Sequence, residues 1–253
     1  MILLDTMIIL ILVFVRMTAL LILTPLFNNT SVPSMVKIGF IFFLSYIIMP
    51  VVAVRTDLVV LSFLDLGKYI VIEFVNGIAF GFVVSLTLSF VYISGLLVDR
   101  NIGFAMVSVI NPEYDSQMPI SANMFFLFLS LLFFVTNAHH LLIEAVVESY
   151  KVVPLGNILI NNRVIYFYTE VISDAFIVGI QIAAPFILTI LIANVILGLL
   201  SKAMPGMNVF LVGLPLKVFV GLVTFLIVMA YYFDAFNLQL RKMVDFIYQL
   251  MGA

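Results

Sequence analysis

Two histidines and two glutamates in "NAHHLLIEAVVES" are the first side chains that could do chemistry. His140, Glu144 and Glu148 are four residues apart, so a helix would put all three on one face, where imidazole and carboxylate can chelate a metal. The order is not the H-E-x-x-H of a zinc protease, and structural hydrogen bonding accounts for the His139–His140 pair with less. Arg16 lies midway along one apolar run and Glu73 near the start of another. A charge at such depth costs at least ~2.5–3.5 kcal/mol on insertion scales, so it pairs or faces a polar interior. Glu73, Glu144, Glu148 and Asp174 are the carboxylates a proton relay would use, but none is central in a segment of ordinary length. The chain has no Cys, hence no disulfide, thiolate ligand or cysteine nucleophile. It also has no Gly-rich phosphate loop, kinase motif or G-x-S-x-G elbow. An enzyme active site is not supported, and no metal or cofactor is expected.

The elements that carry these residues are apolar. The 253 residues are 65% hydrophobic and 9% charged, against roughly 25% charged in soluble domains, so lipid or protein must cover most of the surface. An integral membrane protein follows. A net charge of −2 argues against a nucleic-acid surface. The start, "MILLDTMIILILVFVR", has Asp5 where a signal peptide has basic residues, so the first segment is expected to stay in the mature protein. Six apolar segments can be drawn: Met7–Phe27, Val36–Val54, Tyr69–Val98, Ala122–Val147, Phe176–Leu200 and Met207–Tyr232. Tyr69–Val98 would be about 45 Å long against a hydrocarbon core of about 30 Å, and the fifth segment can be extended back to Val164. Tilt or protein cover could absorb the excess, and we favour protein cover. If all six cross, Arg55, Lys68, Lys151, Arg163, Arg241 and Lys242 share a side with the termini, against Lys37, Arg100 and Lys202, which puts the termini in the cytoplasm. The end of the chain is amphipathic, with Phe233, Phe236, Leu240, Val244, Ile247 and Met251 at helical spacing.

Three local patterns stand out. Gly77 and Gly81 form G-x-x-x-G, extended by Ser85 and Ser89, a face on which helix backbones approach closely, within this chain or against another subunit. The stretch "DRNIGFAMVSVINPEYDSQMPI" mixes Gly103, Asn111 and Pro112 with Phe104, Met106, Val107, Val109 and Ile110. Surface loops are more polar, so it is read as a segment folded into a cavity or pore, or as a re-entrant hairpin that only packs. In "SKAMPGMNVFLVGLPLKVF", Pro205 and Gly206 end one helix and Asn208 caps the next, while Pro215 would kink it and Lys217 would snorkel or pair with an acid.

Taken together, "DRNIGFAMVSVINP", "TNAHHLLIEAVVESYKVVPLG", "QIAAPFILTILIANVILGLLSKAMPGMNVFLVGLPLKVFVGL" and the series Arg16, Pro25, Pro33, Pro50 closely resemble the FliR family of flagellar export-gate proteins, which includes injectisome SctT. The likeness spans nearly the whole chain. Its most specific part is Ser201, Pro205, Asn208, Phe210, Pro215 and Lys217; Gly206 departs, where many relatives have Gln. The His139–His140 stretch and "KAMPGMNVF" look more flagellar than injectisome. The resemblance implies an all-α polytopic membrane protein of long helical hairpins, with 1–160 similar to FliP and 161–253 to a FliQ hairpin ending in the amphipathic helix. It implies a structural subunit that forms, with FliP and FliQ, the pore for unfolded flagellar axial proteins. The pore would be contacted by FlhB, within the inner membrane at the flagellar basal body. In such an assembly much of the helical mass stands above the bilayer, 103–118 is the pore loop, and energy comes from the proton-motive force and a separate ATPase. Arg16, Glu73, Gly77, Gly81, Ser85, Pro205, Asn208, Pro215 and Lys217 are then the residues expected to govern packing and assembly. The alternative is a small secondary transporter or ion channel with Pro215 breaking a helix at a midplane site.

Overall fold

A computed structural model of the chain describes residues 2–27, 32–53, 62–104, 118–159, 162–204, 206 and 208–252. The described chain is helical: α1 (Ile2–Leu23), α2 (Ser34–Ala53), α3 (Phe63–Leu88), α4 (Phe90–Ile102), α5 (Ile120–Val135), α6 (Ala138–Val152), α7 (Asn162–Ala203) and α8 (Val209–Leu250). Five stretches are long and apolar enough to cross a membrane: Thr6–Leu23, Ser34–Ala53, Phe63–Ile102, Val164–Ala203 and Leu211–Leu250. The pair α5 and α6 would make a broken sixth.

Several boundaries differ from the sequence expectation, and Tyr69–Val98 is divided between α3 and α4. Ala122–Val147 reads as one apolar run, but the helix stops at Val135 because Asn137 takes the left-handed region (φ 58°, ψ 24°). Asparagine tolerates that region better than the apolar residues around it. The last two segments, in turn, are longer than their apolar cores. Helices α7 and α8 have 42 residues each, about 63 Å, twice the hydrocarbon thickness. The amphipathic end is therefore the last turns of α8. Phe236, Leu240, Val244, Ile247 and Met251 are buried there, whereas Phe233 is exposed.

The chain forms two compact units, each discontinuous in sequence. The first comprises 1–88, 137–172 and 240–253; the second comprises 89–136 and 173–239. In the first, α3 packs along α1, and α2 lies against α1. Gly77 and Gly81 make the approach of α3 to α1 possible. A Cβ at Gly77 would stand 2.5 Å from the Arg16 carbonyl oxygen and 2.7 Å from Ala19 Cβ; one at Gly81, 2.8 Å from the Leu20 oxygen. The G-x-x-x-G face is thus used inside the chain, with Ser85 half-buried further along α3.

In the second unit, α7 and α8 run antiparallel. The Tyr232 hydroxyl donates to the Ile182 carbonyl (2.8 Å), the Thr224 hydroxyl to Thr189 (3.0 Å), and Leu197 lies against Gly213. Moving toward the N-terminus on α8 moves toward the C-terminus on α7, as a hairpin requires. Rings of Phe90, Phe125, Phe128, Phe186, Phe225, Tyr232 and Phe236 fill the core with centroids 5.1–6.3 Å apart. Offset and edge-on contacts of this kind add about 0.5–1.5 kcal/mol per pair beyond area burial.

Candidate functional site

The charged residues flagged in α1 and α3 meet inside the first unit. Arg16 and Glu73 are fully buried and form an ion pair, Nε to Oε2, of 2.5 Å. A lone ion there would be prohibitive, so each remaining polar atom needs a partner. Arg16 Nη1 and Nη2 donate to the Val153 carbonyl at 3.2 and 3.1 Å, and Nη1 reaches the Ser149 hydroxyl at 3.3 Å. The guanidinium also stacks 4.1 Å above the Tyr150 ring, a cation–π contact. Glu73 Oε1 accepts from the Gly156 amide at 2.8 Å. One turn on, Asn76 Nδ2 donates to the Asn157 carbonyl (2.7 Å) and its Oδ1 accepts from the Leu159 amide (3.0 Å).

Residues 153–159 are thereby strapped to α1 and α3 by side chains in place of a neighbouring strand. Buried backbone amides and carbonyls must be paired, and Arg16, Glu73 and Asn76 supply the pairing. The strap turns through Pro154–Asn157, where the Asn157 amide donates to the Pro154 carbonyl (3.1 Å) and Gly156 takes φ 85°. A side chain would be strained at that φ. Both Glu73 oxygens are engaged, so this carboxylate is a clamp and not a free proton relay.

In the second unit the sequence-predicted residues Gly103 and Phe104 end α4. Gly103 is its left-handed cap (φ 100°, ψ 12°), donating to the Asp99 carbonyl at 2.9 Å. Met106, Val107, Val109, Ile110, Asn111 and Pro112 lie outside the described residues, as does Pro205. Asp99 and Ser121, which the sequence reading passed over, join α4 to α5. The buried Asp99 carboxylate accepts from the Ser121 amide (3.0 Å) and from its hydroxyl. Gly95 sits one turn earlier with its Cα against the backbone of Ala122.

At the α7–α8 turn, Asn208 caps α8 by accepting the Leu211 amide at 3.2 Å, as its position suggested. Pro215 lies inside α8 on an exposed face, where it removes one intrahelical bond. Lys217 is half-buried and makes no ion pair among the described residues. His140, Glu144 and Glu148 share one helix face of α6. No group of three potential ligands is assembled among the described residues, and Glu148 instead pairs with Lys151.

Asn76, Ser149 and Tyr150 were also missed. Asn76 left a signal, a second polar residue three positions after Glu73 within an apolar helix. The others left none, because their partners are backbone groups or residues far along the chain.

Comparison with known proteins gives a consistent result. Residues 7–243 match the family described as bacterial export proteins, family 1. The chain is 28% identical to the flagellar biosynthetic protein FliR of Bacillus subtilis (strain 168), over 92% of each chain. It is 29% identical to FliR of Escherichia coli (strain K12), over 82% of this chain and 78% of that one. The secretion system apparatus protein SsaT of Salmonella typhimurium is 25% identical, over 86% of this chain and 85% of its own.

Proposed function

Because the chain belongs to the bacterial export proteins, family 1, we propose that it is a structural subunit of the flagellar type III export gate. In this reading it forms, with FliP and FliQ, the pore through which unfolded flagellar axial proteins leave the cytoplasm. The carrying observation is the match across residues 7–243, which covers the strap, the α4–α5 stem and the long hairpin together. Residues 1–160 take the place of a FliP-like part and 161–253 that of a FliQ-like hairpin, with FlhB as the cytoplasmic contact. The setting is the inner membrane at the basal body.

Physical features support a part built for assembly. Helices twice as long as a bilayer is thick need cover beyond lipid. Their outward faces carry Phe176, Leu188, Leu191, Phe219, Leu226 and Ile227, all exposed in the single chain. Charges deep in the chain are tied to one another and to backbone, which suits a rigid wall. The stretch 103–118, carried by Gly103, Phe104, Met106, Val107, Val109, Ile110, Asn111 and Pro112, is assigned to the pore.

Co-expression with FliP and FliQ and extraction in mild detergent tests this. The chain is expected to co-purify with both and to be lost from the membrane without them. A stable, active chain purified free of both would overturn the proposal.

A further inference from the structure

We propose that Asp99 is the positioning residue that sets the spacing between the end of α4 and the start of α5. It does so from both its main chain and its side chain. Its carbonyl receives the Gly103 amide and closes α4, while its carboxylate receives the amide and hydroxyl of Ser121 in the first turn of α5. Helix α5 has no side-chain cap of its own, since the residue before it is Pro119. Asp99 caps it from the neighbouring helix.

A carboxylate at 5% exposure in an apolar chain persists only where donors satisfy it, and both donors here come from Ser121. The Gly95–Ala122 contact, one turn before Asp99 and one residue after Ser121, holds the two backbones together next to that bond. Charge near an amide-bearing helix start is also favoured by the helix dipole. The two ends, Phe104 and Met118, therefore lie close in sequence to a hydrogen-bonded joint.

The absence of native cysteine makes the joint directly measurable. Spin labels at Phe104→Cys and Met118→Cys, in the complex co-purified with FliP and FliQ, report the distance between the two ends. The parent should give one narrow distribution. Removing a carboxylate that holds two charge-assisted bonds, as Asp99→Ala does, is expected to broaden it about twofold. Asp99→Asn keeps an acceptor oxygen and should stay close to the parent. Ser121→Ala, which removes one donor and is mild to folding, should fall between and carries the test if Asp99→Ala does not accumulate.

An Asp99→Ala distribution as narrow as the parent's, or an unchanged one for Ser121→Ala where Asp99→Ala is lost, overturns the proposal. So does an Asp99→Asn distribution as broad as that of Asp99→Ala, because charge and not the bond would then be at work. A second arm rests on the pore reading of 103–118. Ion leakage through idle complexes in vesicles should rise in Asp99→Ala. Broadening without leakage would refute that reading and leave the joint standing.

Discussion

The two compact units solve the same problem differently. The first buries a charge pair and an asparagine, and the polar atoms left over from the pair itself bond to α6 or the 153–159 strap. Apart from the Asp99–Ser121 joint, the second buries rings, with Phe125 touching Phe186, Phe225, Tyr232 and Phe236. Hydrogen bonds are directional and each partner depends on the others, whereas ring contacts are many and graded. The first core should therefore fail at single residues, and the second should yield by degrees.

The sharpest way to break that contrast is Arg16→Leu. Removing one partner leaves Glu73 buried without a counter-ion, which costs about 3–5 kcal/mol. We expect a large loss of thermal stability of the detergent-solubilised complex, or failure to assemble. Arg16→Leu with Glu73→Leu should recover much of the loss, since a hydrophobic replacement of a buried pair can be near neutral. The strap would still lose its clamp, so recovery stops short of full. If the single variant is as stable as the double, the charge pair is not the keystone of this unit.

Gly77→Ala comes next. Its Cβ would meet the Arg16 carbonyl at 2.5 Å, a backbone atom that moves only with all of α1. Overpacking of this kind costs about 1–3 kcal/mol. Gly198 in α7 is the control, because a Cβ there meets nothing within 4 Å. Gly198→Ala should be neutral or gain up to about 1 kcal/mol from helix propensity. Paired melting curves of the two variants check the difference, and equal shifts would remove the close-approach argument.

Much of this was legible in the sequence, and the boundary of legibility has a physical cause. Arg16 and Glu73 are conspicuous because charge in an apolar run is costly, and Gly77–Gly81 because small residues recur every four positions. Asn208 is readable as a cap because capping is local. What could not be read is who meets whom. Arg16 and Glu73 are 57 residues apart, and Glu73 and Gly156 are 83 apart. The strap contributes backbone amides and carbonyls, which every sequence has. Asp99 looked like an ordinary charge at a helix end, and nothing in "DRNIG" names Ser121 as its partner. The break at Asn137 was hidden because long apolar runs flank the short stretch Thr136–His140.

The smallest test concerns a polar group within the aromatic core. Tyr232 is fully buried among phenylalanines, and its hydroxyl donates to the Ile182 carbonyl on α7. That carbonyl neighbours Pro185, which has no amide to give its own helix, so this part of α7 has fewer internal bonds than the rest. Hydroxyls gather there: Thr189 donates to the Pro185 carbonyl, and Thr224 reaches Thr189 across the hairpin. Tyr232→Phe keeps the ring contacts and deletes only the donor. Interhelical hydrogen bonds of this kind average about 0.6 kcal/mol in membrane proteins and reach about 1.7. We therefore expect a small fall in the melting temperature of the complex, far below that of Arg16→Leu. A fall as large as the Arg16 variant's would mean that the second core, too, depends on one directional bond, and the contrast between the two units would be gone.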